Sequence, residues 1–182
     1  TQAVIDKITT HETRFFRDES IFDGIVLQII PEWLKHQGVV LPTTYENALS
    51  PTSLGLNSKP FHLPSNLRLN IWSAACSTGQ EPYSVSMILR EKQPRVAEQT
   101  SLLATDISHE SVKRARAGAY TKFEIGRGLP DYYRHRYFKK NSDDAYQISD
   151  DIQNMVNFKT HNLIADPYPG KFDIILCRNI SI

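Results

Sequence analysis

The chain has 182 residues, of which 40% are hydrophobic and 23% are charged, and its formal net charge at pH 7 is +1. This composition is typical of a globular protein with one sizeable core, and so small a net charge gives no global field that would draw the chain to nucleic acid or to a membrane. No apolar run approaches the roughly 20 residues that cross a bilayer, and the start of the sequence lacks the pattern of a signal peptide. Cys76 and Cys177 each end an apolar run, which favours small buried side chains over a disulfide. We therefore expect a soluble cytoplasmic protein.

The first third of the chain predicts a helical region and a long loop. Residues 14–36 place apolar side chains at helical spacing, with Asp18 and Ser20 as candidate caps and Pro31 as a residue that could break or kink the helix. Residues 37–66 contain four prolines and two glycines, which indicates a long surface loop. We group residues 1–66 as an N-terminal helical segment with a Pro-rich loop.

From residue 67 the pattern alternates between strands and helices. Strands are predicted at residues 67–75 and 101–106 and within 155–163 and 172–182, and helices at residues 82–92 and 108–117. Alternation of this kind builds a parallel sheet with helices on its faces, so the predicted fold class is α/β. We group residues 67–182 as one domain on this basis.

Residues 118–151 interrupt the alternation. They contain a basic aromatic segment, a polar Asn-Ser-Asp-Asp turn and the short alternating stretch AYQIS. This pattern predicts an inserted antiparallel β-subdomain at about residues 118–152, with one short helix and a few strands.

Residues at the carboxyl ends of the predicted strands outline a ligand site, because open parallel sheets bind ligands there. After the first strand, SAACSTGQEP (residues 73–82) lets a ligand approach the backbone: Gly79 permits an unusual turn, and Pro82 suits the start of a helix whose free N–H groups face the ligand. Asp106 ends the second strand, where adenosine-binding folds hold ribose hydroxyls. The other two strands end in Asn162, Leu163, Arg178 and Asn179. Together they predict a cleft for an adenosine-like ligand.

Each of these features also has a purely structural explanation. A turn of small residues can simply join a strand to a helix, and an Asp after a strand is at least as often a helix cap. The sequence has neither the Gly-x-Gly-x-x-Gly nor the Gly-x-x-x-x-Gly-Lys fingerprint, which disfavours a dehydrogenase and an NTPase. A nucleoside without a polyphosphate remains as the predicted ligand class.

Six segments, in order along nearly the whole chain, carry a more specific signal. They are THETRFFRD (10–18), IWSAACSTGQEPYSVSMIL (71–89), LLATDIS (102–108), ARAGAY (115–120), NL (162–163) and FDIILCRN (172–179). In all six the chain resembles the CheR-type chemotaxis receptor methyltransferases, and SAACSTGQEPYS and CRN are peculiar to this family among methyltransferases. The resemblance implies a Rossmann-like methyltransferase sheet.

The resemblance also implies a cofactor, a substrate and a set of site residues. The cofactor is S-adenosyl-L-methionine, with S-adenosyl-L-homocysteine as product, and the methyl acceptors are glutamates on the cytoplasmic helices of methyl-accepting chemotaxis receptors. Arg17 would lie near the methyl group and hold the substrate carboxylate, and no metal is implied. By position, the cofactor would be lined by His11, Thr13, Arg17, Glu81, Asp106, Asn162, Leu163, Arg178 and Asn179. His11 stands where many members have Asn.

The chain also departs from the family pattern. The family has an N-terminal helical domain and, after CRN, a tyrosine and three further strands, so we expect a fragment of a longer protein whose last strand exposes an apolar edge. In some members the β-subdomain docks a receptor tail peptide by strand addition. It could equally just pack on the sheet, and residues 127–140 could instead form a cationic face for an acidic receptor helix.

The chemistry implied by the resemblance needs few catalytic groups. A glutamate carboxylate is already an anionic nucleophile, so methyl transfer requires orientation and exclusion of water rather than a strong base. The sequence shows no Ser/His/Asp set and no His pair at the spacing of a zinc site.

Two alternative functions stay open. One is a module that binds cofactor or receptor tail without catalysis, and the other is a methyltransferase for another acceptor, which should need a base or a more basic groove.

Overall fold

The computed structural model describes residues 13–41, 63–141 and 144–180. Its elements in chain order are α1 (Glu19–Gly24), a π-helical turn (Ile25–Ile29), α2 (Ile30–His36), β1 (Leu69–Ala74), α3 (Gln80–Lys92), α4 (Pro94–Glu98), β2 (Thr100–Asp106), α5 (His109–Ala117), β3 (Ala119–Tyr120), α6 (Lys122–Gly126), α7 (Asp131–Tyr137), β4 (Phe138–Lys140), β5 (Tyr146–Ile148), α8 (Asp150–Gln153), β6 (Val156–Thr160) and β7 (Ile174–Cys177). Within these ranges, no helix combines the length and the apolar character needed to cross a bilayer.

A parallel sheet forms the centre of the fold. Its four strands are ordered β6-β2-β1-β7, and every neighbouring pair is parallel. Helix α3 packs on the sheet through Tyr83, whose ring centroid lies 5.4 Å from that of Phe158 in β6. The Tyr83 hydroxyl donates to the carbonyl of Ala115 at 2.8 Å, which ties α3 to α5. The predicted α/β fold is confirmed. All four strands point their carboxyl ends to the same edge, so the residues that follow them are brought together.

The N-terminal helical region begins later than the sequence predicts. It starts at Glu19 rather than at residue 14, and it passes from α1 through the π-helical turn into α2. Pro31 lies in the first turn of α2, directly after the wider π-helical turn, where its missing N–H is accommodated without ending the helix. Asp18 occupies the N-cap position of α1 but makes no capping hydrogen bond, so the prediction that it caps this helix is wrong.

Residues 118–152 contain the predicted antiparallel strands, which form a sheet with the order β3-β5-β4. The expectation of one short helix is wrong, since α6 and α7 both lie between β3 and β4 and α8 follows β5. Helix α6 begins with a capping box, in which the Thr121 hydroxyl and the Glu124 carboxylate each satisfy a backbone N–H of the other residue. The Thr-x-x-Glu spacing is a start signal that the sequence contains.

Other sequence predictions have mixed outcomes. Helix α4, which begins at Pro94, is absent from the predicted elements, although proline favours the first turn of a helix. Cys76 is buried as expected, whereas Cys177 is exposed, contrary to the expectation. Residues 42–62 of the predicted loop lie outside the described residues, and the domain boundaries at residues 66 and 67 and about 118–152 stay predictions.

Glu91, near the end of α3, holds the inserted segment against the parallel domain. Its carboxylate accepts hydrogen bonds from the Tyr132 and Tyr137 hydroxyls of α7 and pairs with the Arg136 guanidinium. Burial raises the pKa of Glu91, but these two hydrogen bonds and the Arg136 charge outweigh burial and hold the pKa below its ordinary value of 4.5. The ionised carboxylate is therefore the form that joins α7 to α3.

We expect Glu91→Gln to lower the free energy of unfolding at pH 7 by about 1–3 kcal/mol, since the hydroxyls of exposed Tyr132 and buried Tyr137 lose a charged acceptor. Because the folded pKa lies below the unfolded value near 4.5, this stabilisation is complete above that pH and is lost as the pH falls through the folded pKa. Chemical denaturation at pH 7 and at pH 3 to 4 measures it, with Glu98→Gln as the control. A gap between wild type and variant that stays the same at both pH values would contradict the assignment.

Candidate functional site

The backbone between β1 and α3 makes a tight turn in a strained conformation. Ala75 and Ser77 have φ angles of 56° and 50°, in the left-handed region that non-glycine residues seldom adopt, and Gly79 has φ 92°. A Cβ at Gly79 would lie 2.9 Å from the Ala115 Cβ and 3.2 Å from the Tyr120 hydroxyl. Only glycine fits at position 79, where the backbone lies so close to Ala115 and Tyr120. Backbone strain of this kind clusters at ligand sites, which is consistent with the predicted role of the turn.

Asp106, at the end of β2, fixes this turn. One carboxylate oxygen accepts the Ser77 N–H at 2.8 Å, and the other accepts the Ser108 N–H at 2.9 Å. The side chain is mostly buried, with 8% of the residue surface exposed. A carboxylate offers about four acceptor positions, so two backbone donors leave capacity for the hydroxyls of a ligand.

Glu81 and Arg178 form the charged centre of the carboxyl edge. Glu81 lies in the first turn of α3, where one oxygen accepts the Ser73 hydroxyl at 2.8 Å and the other accepts Nη1 of Arg178 at 3.3 Å. The second terminal nitrogen of Arg178, Nη2, donates to the Arg17 carbonyl at 3.3 Å and pairs with the Asp18 carboxylate. Burial raises the pKa of Glu81, and the Ser73 hydrogen bond and the Arg178 charge partly oppose that rise.

The segment that carries Thr13 and Arg17 is anchored beside this centre. The Phe16 N–H donates to the Ser84 hydroxyl of α3 at 3.0 Å. Phe15 is fully buried, with ring centroids 4.9 Å from Tyr120 and 5.5 Å from Phe138 in edge-to-face geometry. The segment is therefore held by both α3 and the inserted sheet.

The turn after β6 adjoins Asp106. The His161 N–H donates to the Asp106 carbonyl at 2.9 Å, and the Asn162 N–H donates to the Asp166 carboxylate at 2.8 Å. The Asn162 side-chain oxygen accepts two backbone N–H groups of the same turn, at 2.9 and 3.2 Å. Leu163 is 38% exposed on this turn, so its apolar surface is accessible to a ligand.

Most of the sequence-predicted site residues are brought to one edge of the sheet. The Arg178 guanidinium contacts both the Glu81 carboxylate and the Arg17 carbonyl. Burial raises the pKa of the Cys76 thiol, and the charges of Asp106 and Glu81 raise it further.

The remaining predicted residues occupy less central positions. Thr13 is half-buried, and Asn179 follows Arg178 with a left-handed φ of 54°. His11 lies outside the described residues. Sequence reasoning missed the contacts of Ser73 and Asp18, although both stand inside motif segments.

A separate cavity of about 890 Å³ lies at the opposite end of the sheet, near the amino-terminal ends of β2 and β6. Its lining includes Arg90, Thr100, Arg116 and Val156. Within the described part of the chain, no group of three His, Cys, Asp or Glu side chains is placed to hold a metal ion. The strained turn and the charged centre single out the carboxyl edge as the candidate site.

Comparison with known proteins identifies the family. A sequence profile described as "CheR methyltransferase, SAM binding domain" matches residues 56–182. The chain belongs to the CheR methyltransferase family. The cofactor of this CheR domain is therefore S-adenosylmethionine, as the sequence resemblance implied.

Named relatives agree with this assignment. A "Chemotaxis protein methyltransferase" from Vibrio parahaemolyticus is 35% identical over 99% of the CheR chain. A protein of the same name from Borreliella burgdorferi is 36% identical over 98% of the chain. The chain covers 56% of the length of each of these two relatives. "Chemotaxis protein methyltransferase 1" from Pseudomonas aeruginosa is 34% identical over 100% of the chain and 58% of the relative. The chain thus spans a little more than half the length of these relatives. A "DszA carbon methyltransferase" crystal structure aligns at a TM-score of 0.33, with 19% identity over 58% of the chain and 18% of that structure's chain, which is too low to support an inference.

The carboxyl edge of this CheR domain fits such a cofactor. Asp106 keeps acceptor capacity for ribose hydroxyls beyond its two backbone partners. Among the described residues, the buried Ser77 hydroxyl has no hydrogen-bond partner, which leaves a polar atom beside Asp106 for a ligand to satisfy. These residues could hold a nucleoside with a charged amino-acid tail.

Proposed function

We propose that this chain is the cofactor-binding and catalytic part of a protein-glutamate O-methyltransferase that forms methyl esters on the cytoplasmic helices of chemoreceptors. The observation that carries the proposal is the charged centre at the carboxyl edge, where the Arg17 backbone is joined to Arg178 and Glu81 in a CheR-family domain. The names of the relatives support the methyltransferase and chemotaxis assignments.

In this proposal the cofactor lies along the carboxyl edge of the sheet. Asp106 accepts the ribose hydroxyls, and Asn162 and Leu163 border the adenine. Glu81 and Arg178 lie at the charged amino-acid end, because their opposite charges complement its ammonium and carboxylate groups. His11, Thr13 and Asn179 complete the predicted lining, and no step of the proposed reaction uses a metal.

The proposed mechanism relies on positioning. When bound, the cofactor supplies a methyl group activated by attachment to a positively charged sulfur. Arg17 holds the acceptor carboxylate in line with that methyl group through a two-pronged guanidinium contact. The acceptor is ionised at neutral pH and needs no base, which fits a site whose charged groups pair with one another. Side chains around the strained turn exclude water and strengthen these interactions.

We propose chemoreceptors as the partners and the cytoplasm as the location, with no nucleic acid partner and no membrane insertion. The strand order β3-β5-β4 puts β3 and β4 at the two edges of the inserted sheet, where an extended receptor tail peptide can dock by strand addition. The relatives' names support the receptor assignment at the level of chemotaxis only.

The chemical stability of the product tests the proposed reaction. The full-length protein, given methyl-labelled S-adenosylmethionine and a receptor's cytoplasmic fragment, is expected to label the receptor in a form that dilute alkali releases as methanol. Methylated amines and ethers survive this treatment, so alkali-stable label would exclude a glutamate acceptor. Receptor whose candidate glutamates are replaced by alanine is the control. Tight binding of S-adenosylhomocysteine with no transfer to any acceptor would favour the binding-module alternative.

A further inference from the structure

Asp18 stands at the N-cap position of α1 but does not cap the helix with its side chain. Asp is among the strongest N-cap residues because its carboxylate accepts a free N–H of the first helical turn. Asp18 occupies that position, yet it has φ 62° in the left-handed region and leaves the first turn without a side-chain cap. Its carboxylate pairs with Arg178 instead. Departures from local preference of this kind are expected where a residue serves a site rather than the helix.

The geometry of the Arg178 guanidinium shows what this pairing does. Nη1 bonds Glu81 on α3, while Nη2 contacts both the Arg17 carbonyl and the Asp18 carboxylate. Arg178 follows β7, so the pairing links the carboxyl end of that strand to the segment that carries Arg17. Phe16 and Asp18, the residues on either side of Arg17, both have left-handed φ angles, 47° and 62°. The backbone on both sides of Arg17 therefore adopts a strained conformation that needs external support.

The exposure of the Asp18 side chain indicates that its pairing with Arg178 contributes little to the global stability of the fold. The Arg178 side chain is 16% exposed, whereas that of Asp18 is 52% exposed. An ion pair with one half-exposed partner contributes little to the free energy of unfolding. Loss of the Asp18 charge therefore leaves the fold in place and releases only the turn between residues 16 and 18.

We propose that Asp18 is a positioning residue for methyl transfer: through Arg178 it fixes the backbone on which Arg17 is carried, and so sets the direction of the Arg17 guanidinium toward the acceptor carboxylate. The proposal rests on the proposed function of Arg17. Glu81 still holds the other terminal nitrogen of Arg178 when Asp18 is neutralised, so the cofactor end of the site is largely kept.

The test compares Asp18→Asn with Glu19→Gln in the full-length protein. Glu19 is the next residue and is exposed in the first turn of α1, so the control removes the same charge from the same end of the helix. We expect Asp18→Asn to lower kcat by about tenfold or more, while the dissociation constant of S-adenosylhomocysteine changes by less than about threefold. Asp18→Glu, which keeps the charge, should recover part of the rate, and the melting temperatures of all variants should stay close to that of wild type.

Hydrogen exchange of the peptide covering residues 13–24 provides a measurement that needs no acceptor. Asp18→Asn should exchange faster there than wild type, and Glu19→Gln should not. Equal exchange and equal kcat for Asp18→Asn and Glu19→Gln would overturn the proposal, as would an affinity loss as large as the rate loss. A wild-type protein that does not methylate the receptor would refute the proposed function instead, and the exchange data would still decide whether Asp18 holds the Arg17 segment.

Discussion

Arg17→Ala is expected to lower the rate of methyl transfer by about a hundredfold or more, and to weaken S-adenosylhomocysteine binding by less than about tenfold. The reason is that the proposed contact of Arg17 with the acceptor carboxylate matters most in the transition state, when carboxylate and sulfonium charges cancel. Arg17→Lys should restore only part of the rate, because the Lys ammonium cannot form the bidentate hydrogen bonds that a guanidinium forms with a carboxylate. Single-turnover kinetics with receptor and titration calorimetry with the product measure the two quantities.

Arg14→Ala provides the matched control for Arg17, since Arg14 is an exposed arginine three residues earlier in the same segment. Its rate should lie within about twofold of wild type, as expected for a surface substitution. An Arg17→Ala protein with unaltered turnover would remove Arg17 from the mechanism. A variant that loses affinity as much as rate would make Arg17 a cofactor-binding residue only.

Asp106→Ala is expected to weaken S-adenosylhomocysteine binding by roughly 10–100-fold, the effect of losing hydrogen bonds to a charged acceptor worth about 1.5–3 kcal/mol. The change also removes the acceptor of the Ser77 and Ser108 N–H groups, so the free energy of unfolding should fall by about 1–3 kcal/mol. Asp106→Asn keeps one acceptor oxygen and should lie between wild type and Asp106→Ala in both measurements.

Asp173 offers a control that separates affinity from stability. Its carboxylate accepts the Asn70 N–H at 2.7 Å near the amino-terminal ends of β1 and β7, far from the candidate site. Asp173→Ala should therefore cost stability without changing the dissociation constant measured by calorimetry. Equal affinities for wild type and Asp106→Ala would place the ribose away from β2.

Much of the parallel domain could be predicted from the sequence because its signals are local. Buried strands and helices alternate in the chain, and the observed bounds of β1 and β2 lie within two residues of the predicted ones. Once the strands are parallel, the topology itself brings Asp106, Asn162 and Arg178 to one edge. This is why strand-end residues could be selected as site candidates without a structure.

The features that could not be predicted from the sequence depend on contacts between distant parts of the chain or on unusual backbone angles. The Arg178 contact with Asp18 joins residues 160 positions apart, and nothing in the local sequence distinguishes it from an N-cap interaction. Left-handed φ angles at Ala75 and Ser77 occur without glycine, so no residue type predicts them.

A crystal structure of the full-length protein with S-adenosylhomocysteine would show whether the cofactor lies at the carboxyl edge of the parallel sheet. We expect ribose hydroxyls within about 3.2 Å of the Asp106 carboxylate, at hydrogen-bonding distance, and the amino-acid end of the ligand beside Glu81 and Arg178. Ligand density in the 890 Å³ cavity at the amino-terminal ends of β2 and β6, with no ligand contact at Asp106, would contradict this expectation.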